Sequence, residues 1–494
     1  MRAHEAGALH AQAGHRAPPW LSAPRDVNDL VPQLWSSTAK KTGEGSLVVG
    51  GVDVRDLVAE HGSPAYVLDE DDFRTRARAF KNAFKDFDVY YAGKAFLSTT
   101  VVRWVMEEGL NLDVCSGGEL AVALKAGADP KRLGFHGNNK SESELARALD
   151  AGVGRIIADS LYEIDRLIAL ARERGVVAPV MIRVTAGVEA HTHEYIATAH
   201  EDQKFGFSIT SGAAFEAVAK VNEAAELELL GLHSHIGSQI FDSSGFEVAA
   251  KRVIALHARV SDELGVDMPE IDLGGGFGIA YTTQDDPSDP AQLATEMGKI
   301  VEHECRAFGV DVPKISIEPG RAIVGPAMCT VYSVGTVKEV ELDNNAARTY
   351  VSVDGGMSDN IRAALYDADY SCTLANRYSD APPTLARVVG KHCESGDIVV
   401  KDEFLPGDVG PGDLVAVPGT GAYCRSMASN YNHVPRPPVI AVKDGQTRVV
   451  VRRETEDDLL LLDMGVEGQV SEANNPIEPT PSLSPEPSAS EVEE

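Results

Sequence analysis

The chain has 494 residues, enough for two or three domains with sizeable cores. Apolar content of 43% and charged content of 24% are those of an ordinary soluble globular protein. A formal net charge of −30, from 45 basic and 75 acidic residues, repels polyanions and excludes nucleic acid and anionic membranes as expected partners.

No apolar run approaches the roughly 20 residues of a membrane span. The N-terminus has no basic region followed by an apolar block, so it does not read as a secretory signal. The six cysteines, at 115, 305, 329, 372, 393 and 424, have no zinc-like spacing and fit a reducing cytoplasm as free thiols. Residues 1–44, broken by prolines, read as a loosely ordered extension. Residues 45–70 carry the first strands of a β domain, including the strand-like stretch 46–54. A charged, alanine-rich helix follows at 71–87.

From there apolar strand candidates recur at 88–95, 111–116, 132–137, 155–160, 178–185, 227–236, 270–276 and 314–320, with helical stretches such as 118–126, 141–151 and 161–173 between them. Parallel strands joined by helices satisfy the right-handed crossover rule. Eight such units predict an α/β fold, a (β/α)8 TIM barrel over 71–328; an open doubly wound sheet is the competing reading, and the count of eight favours the barrel. Over 329–468 strand-like runs and turns dominate, predicting a second, mainly antiparallel β domain. The tail, 469–494, is acidic and rich in Pro and Ser and reads as disordered.

The chemistry gathers at the predicted strand ends. After strand one, Lys94 follows the buried run 89–92. Burial disfavours the charged amine, and a neutral amine can bond covalently to an aldehyde. Read alone, this is also what a lysine reaching for water at a strand end looks like. After strand seven, Gly274, Gly275 and Gly276 let backbone amides approach an anion, although glycine runs also make plain turns. After strand eight, Glu318 can hold a protonated ring nitrogen, and Gly320 and Arg321 follow it. Arg321 suits a phosphate or a carboxylate; a surface salt bridge is the alternative. After strand six, His233 and His235 share a face. No third histidine or clustered carboxylate is near them in sequence, so no metal site is expected; a ring stacked on a flat cofactor suits one imidazole, and Ser238 can reach a phosphate. An amine, an anion cradle, a carboxylate and a stacking ring together fit pyridoxal 5′-phosphate.

The motifs YAGKAF (91–96), DVCSGGEL (113–120), HGNNK (136–140), KFGF (204–207), GLHSHIGSQI (231–240), DLGGGFGIAY (272–281), EPGR (318–321), DGGMSDNIRAALY (354–366), GKHCESGD (390–397) and GAYCRSMASNYN (421–432) occur in this order. With them the chain resembles the diaminopimelate decarboxylases, of the fold-type III, alanine-racemase-like pyridoxal-phosphate group. The resemblance covers roughly residues 45 to 465. It implies a cytoplasmic carboxy-lyase that turns meso-2,6-diaminopimelate into L-lysine and CO2, the last step of lysine biosynthesis. It implies that Lys94 holds the cofactor, His235 stacks on it, Ser238 and Gly274 to Gly276 bind its phosphate, and Glu318 pairs with its ring nitrogen. Arg321, Arg362 and Tyr366 would receive substrate carboxylate, and Tyr423 would touch cofactor and substrate. Cys393 would donate a proton and Glu394 bind the substrate amine, both from the partner in a homodimer with shared sites.

Phe96 and Gln203 depart from the family pattern. Read without the resemblance, Cys393 is a buried structural thiol, Asp397 a turn residue, Tyr366 and Tyr431 core aromatics, and Arg362 a solvated helix charge. Decarboxylases of ornithine, arginine or carboxynorspermidine, and a non-catalytic pyridoxal-phosphate-binding protein, are the competing functions.

Overall fold

The computed structural model describes residues 17–187, 204–342 and 346–465. Residues up to 453 form one compact unit and those after it another. The described part of the second is a short helix, Glu456–Leu460, with a capping box between Thr455 and Asp458. The expected tail, 469–494, lies outside the described residues, as does Gln203.

Within the larger unit, eight strands form a closed parallel barrel: Asp88–Ala92, Asn111–Val114, Leu133–Phe135, Arg155–Ala158, Ala178–Thr185, Leu227–His233, Glu270–Asp272 and Lys314–Ile317. Strand eight returns to strand one, with Ser316 opposite Asp88 and Ile317 opposite Val89. The strands are buried on both faces, as parallel strands wrapped by helices must be, so they read as apolar runs rather than alternating ones. Serines set the helix starts after the first four strands. Ser98, Ser116, Ser141 and Ser160 each accept a backbone N–H from the first turn, which places each turn at the strand's carboxyl end.

The barrel interior is not filled only by branched aliphatics. Arg155, on strand four, is buried. Its Nη2 lies 2.5 Å from Asp272 Oδ2, its Nη1 donates to Ser316 Oγ at 2.9 Å, and its guanidinium sits 3.5 Å from the Tyr90 ring centroid. One ion pair thus ties strands one, four, seven and eight together below the mouth.

The second sheet is mainly antiparallel. Met328–Leu342 pairs antiparallel with Ala346–Val353, Leu414–Val417 and Ala65–Asp69. Two of its pairings are parallel: Ala346–Val353 with Pro383–Val389, and Val439–Lys443 with Ala65–Asp69. The strand that returns from before the barrel is therefore Ala65–Asp69. The stretch 46–54, expected to join this sheet, instead contributes to a separate small sheet of Lys40–Lys41, Leu47–Val49 and Val52–Asp53, linked to the β domain by a bridge from Ser46 to Asn376. Its own hairpin satisfies the backbone groups that a larger sheet would otherwise have to pair. Nor is the described part of the N-terminal extension loose: Leu34 and Trp35 are buried, in one apolar cluster with Leu47, Val49 and Leu57.

Removing the Arg155 cation leaves the Asp272 carboxylate buried without its partner. Arg155→Met should cost about 3–5 kcal/mol, read as a lower urea midpoint at unchanged slope; a midpoint within error of wild type would show that the pair does not hold the barrel.

Candidate active site

Strands one, six, seven and eight end at a cavity of about 490 Å³. Lys94, His235, Ser238, Gly276, Glu318, Gly320 and Arg321 line it from the barrel, and Arg362, Tyr366 and Tyr423 from the β domain. Lys94 is exposed to the cavity, with protein around the rest of its side chain. Burial by itself would lower its pKa. The Tyr423 phenol, the Cys115 thiol and the Glu318 carboxylate outweigh that, and the pKa lies above the ordinary lysine value. The expected neutral amine is thus corrected: the Tyr423, Cys115 and Glu318 groups around the mouth favour the ammonium more than desolvation disfavours it.

Glu318 is buried at the barrel's upper rim. His233 Nε2 stands 3.0 Å and His136 Nε2 3.3 Å from its Oε1, yet that oxygen has no well-aligned hydrogen bond. Burial pushes the carboxyl up, but His136, His233 and His235 prevail and hold it well below the usual range. Burial also drives both neighbouring imidazoles down, His136 to about 4. Asp113 Oδ1 lies 3.1 Å from His136 Nε2, and burial and the Glu318 charge push its carboxyl well above the usual range. Of the two nearby acids, Glu318 is ionised and Asp113 keeps a proton. His136, His233 and Glu318 bring possible ligand atoms within 4.8 Å of one another, so the fold places beside His233 a second histidine and a carboxylate that are not near it in sequence. Positions 136, 233 and 318 belong to three different strand ends, so no local spacing announces the cluster.

His235 does not share that position. Its Nδ1 accepts the Gly275 N–H at 3.3 Å, which leaves the ring proton on Nε2 and turns the imidazole to the cavity. Burial, then the Lys94 charge, keeps it neutral. The glycine run divides its work. The Gly274 amide donates to Asp272 and the Gly275 amide to His235, so these two shape the turn behind the cavity, and Gly276 is the one that lines it. A Cβ on Gly275 would lie 2.1 Å from the Glu318 carbonyl oxygen, and one on Gly276 2.3 Å from that of Gly237. This close backbone approach leaves room for nothing larger.

Two arginines complete the cavity. Arg321 donates to Ser238 Oγ at 2.8 Å and to the Tyr281 hydroxyl, lies 4.7 Å from the Tyr423 ring, and leaves Nε without a partner. Arg362 is buried rather than solvated and donates to the Tyr370 hydroxyl at 2.6 Å. Neither is paired with a carboxylate among the described residues. Tyr366 is half-buried at the cavity wall and Tyr431 is 40% exposed, so neither is a core aromatic. Tyr423 has φ +70°, a strained value for a residue with a Cβ, secured by its N–H to the Ala95 carbonyl.

Cys393 and Glu394 do not line this cavity. Cys393 is exposed, not a buried thiol. Asp397 is more than a turn residue: it is buried and accepts the backbone N–H of Met357 and His392. Phe96 belongs to the core, its carbonyl accepting the Tyr91 hydroxyl. Sequence reasoning missed Asp113, His136, Arg155, Tyr281, Tyr370 and His392. Four of these lie inside the quoted motifs, where their presence was a signal. Arg155 and Tyr370 lie in none.

The donor set fits pyridoxal phosphate. A buried carboxylate oxygen awaits a donor, a glycine-built wall admits an anion, and a lysine faces both across one cavity. Fold and site together define a barrel enzyme of the pyridoxal-dependent decarboxylase class. Residues 70–325 match the family model described as "Pyridoxal-dependent decarboxylase, pyridoxal binding domain". Diaminopimelate decarboxylase of Mycobacterium tuberculosis is 56% identical over 440 residues, 88% of this chain and 98% of that one. The enzyme of that name from Mycobacterium leprae is 54% identical over 474 residues, 94% and 100% of the two chains. The crystal structure of diaminopimelate decarboxylase from M. jannaschii in co-complex with L-lysine superposes with a TM-score of 0.81 at 29% identity, covering 87% of this chain and 98% of that chain. The chain belongs to the diaminopimelate decarboxylase family and is a carboxy-lyase.

Because its pKa is raised, the Lys94 amine is protonated at neutral pH, and its reactive neutral fraction grows about tenfold per pH unit until that pKa is reached. Covalent capture of pyridoxal phosphate by cofactor-free protein, followed by absorbance, should accelerate in that proportion between pH 7 and 9; a flat profile would place the pKa below neutrality.

Proposed function

We propose that the cavity decarboxylates meso-2,6-diaminopimelate to L-lysine, with Lys94 as the covalent anchor of pyridoxal phosphate. The observation that carries this is one cavity holding Lys94, the ionised Glu318 and two guanidiniums that have no carboxylate partner among the described residues. When bound, the cofactor supplies the electron sink into which the carbon–carboxylate bond breaks. The protein's part is positioning and charge. Glu318 holds a negative charge where a protonated ring nitrogen needs one. The His235 ring covers a face of the cofactor. Ser238, the Gly276 turn and the Gly320–Arg321 helix start receive phosphate, with Gly274 and Gly275 behind them. Arg321, Arg362 and Tyr366 hold the distal carboxylate, and Tyr423 closes over the reacting groups. A decarboxylase that makes a simple diamine has no use for the second cation, so Arg362 favours the dicarboxylate over ornithine, arginine or carboxynorspermidine.

The proton returned to carbon comes from Cys393, and the distal amine pairs with Glu394. Both lie on the chain's surface away from its own cavity, which supports their supply by the second copy of a homodimer. The six cysteines are all free, in keeping with a cytoplasmic enzyme of lysine biosynthesis. No helix among the described residues is long and apolar enough to cross a membrane.

Release of CO2 from meso-2,6-diaminopimelate tests the reaction, and Lys94→Ala should abolish it together with the absorbance of bound cofactor. Lys94→Ala and Cys393→Ala chains should each be inactive. Mixed and allowed to exchange, they should regain about a quarter of wild-type activity, since half the dimers are mixed and each mixed dimer has one intact site. A mixture as inactive as its parts would count against shared sites.

A further inference from the structure

The two guanidiniums are not held independently. The Tyr281 hydroxyl accepts from Arg321, while the face of the same ring lies 4.5 Å from the Arg362 guanidinium carbon. Tyr370 stands edge-on to Tyr281, centroids 5.0 Å apart, and its hydroxyl accepts from Arg362 Nη1 at 2.6 Å. That hydroxyl is 3.5 Å from Cys424 Sγ, which is 3.4 Å from Asn360 Oδ1, and Asn360 Oδ1 accepts the Arg362 backbone N–H at 3.3 Å. The Arg362 side chain is therefore locked through a closed loop of contacts that ends on its own backbone. Tyr281 lines the cavity; Tyr370 stands behind it.

Two buried cations against one ring repel each other. Among the described residues no carboxylate pairs with them, and the side chains they contact are neutral hydroxyls and aromatic faces. Such an arrangement spends stability to keep an anion site open. It also fixes how far apart the two donors are, and hence what anion they accept.

We propose that Tyr281 and Tyr370 are positioning residues that set the spacing of Arg321 and Arg362 and so make the cavity select a substrate with a second carboxylate. This rests on the reading of the two arginines as the distal-carboxylate site. Tyr281 serves both cations with different parts of one side chain, so its variants separate the contributions. Tyr281→Phe keeps the π face for Arg362 and loses the acceptor for Arg321. Tyr281→Leu loses both. Tyr370→Phe frees the Arg362 fork and leaves Arg321 as it is.

The test is a KM-against-kcat comparison on the cofactor-loaded enzyme. It is paired with inhibition by pimelate, which has both carboxylates and neither amine. Tyr281→Phe and Tyr370→Phe should each raise KM for meso-2,6-diaminopimelate and Ki for pimelate about tenfold, with kcat within about twofold. Tyr281→Leu should raise both further. Melting temperature and the absorbance of bound cofactor should stay at wild-type values in the two phenylalanine variants. Unchanged KM and Ki in both of them, or a fall in kcat at constant KM, would overturn the proposal. Should Tyr281→Phe lose its cofactor, Tyr370→Phe alone decides, since it lies outside the cavity. Wild-type protein that releases no CO2 from the substrate would instead sink the reading on which the proposal rests.

Discussion

Glu318 carries a negative charge while buried at the upper rim of the barrel. A carboxylate there is stable only if its surroundings replace the lost hydration. Two buried imidazoles crowd one of its oxygens, and the nearest other acid, Asp113, yields by keeping its proton. The charge is also incompletely satisfied, since Glu318 Oε1 lacks an aligned hydrogen bond. A cationic ring nitrogen placed above it would complete what the protein leaves unfinished. The remaining parts of the site are arranged around that point of charge: the amine across the cavity, the neutral His235 ring beside it, and the glycine turn behind it.

The barrel floor explains how such a cluster can be afforded. Arg155 and Asp272 pair within the interior, with Ser316 and the Tyr90 ring filling their remaining contacts. Asp272 then spends its other oxygen on the Gly274 amide at 2.7 Å, the first residue of the turn that forms the cavity wall. The ion pair that ties four strands together therefore also sets the turn above it. Gly275 continues the chain of command: its amide fixes the His235 tautomer, and its lack of a side chain lets the strand-seven turn press on the Glu318 backbone. Stability and site geometry use the same atoms, so the site cannot drift without loosening the barrel.

The barrel was legible because parallel strands bury both faces. Eight apolar runs at helix-length spacing leave few alternatives, and the strands fall within the ranges read from sequence. Lys94, His235, Ser238, Glu318 and Arg321 were singled out from strand ends and glycine turns and do line one cavity, whereas Arg362 and Tyr423 entered only through the family motifs, Arg362 read alone being a solvated charge. What failed to show was long-range. The convergence of residues 136, 233 and 318 depends on strands three, six and eight sharing one mouth, and no local pattern encodes that. The Lys94 pKa was misread because burial is local to a strand, whereas the opposing pull comes from Tyr423, Cys115 and Glu318, which tertiary structure delivers. The strand 65–69 falls in the segment 45–70 read as the first strands of the β domain, but its pairing with the strands at 328 and 439 had no local signal.

The loop that carries Cys393 presents the reverse of the usual relation between rigidity and function. Its thiol is exposed and does not line the cavity of its own chain, yet the residues around it are closely tied. His392 Nε2 lies 2.8 Å from Ser358 Oγ and its Nδ1 3.2 Å from Asn432 Oδ1, which also accepts the Cys393 N–H at 3.1 Å. Asp397 joins the backbone of Met357 to that of His392, and Gly356 and Gly390 approach it so closely that no side chain would fit at either. Three motifs, at 354–366, 390–397 and 421–432, thus converge on one surface thiol. A free surface cysteine with no task needs no such frame, because a mobile loop serves as well and costs less to order. The proton donor proposed above does need it, since a shift of about 1 Å is enough to cost most of a donor's effect. The close ties of this loop accord with the proposed role of its thiol as a donor to a second copy's cavity.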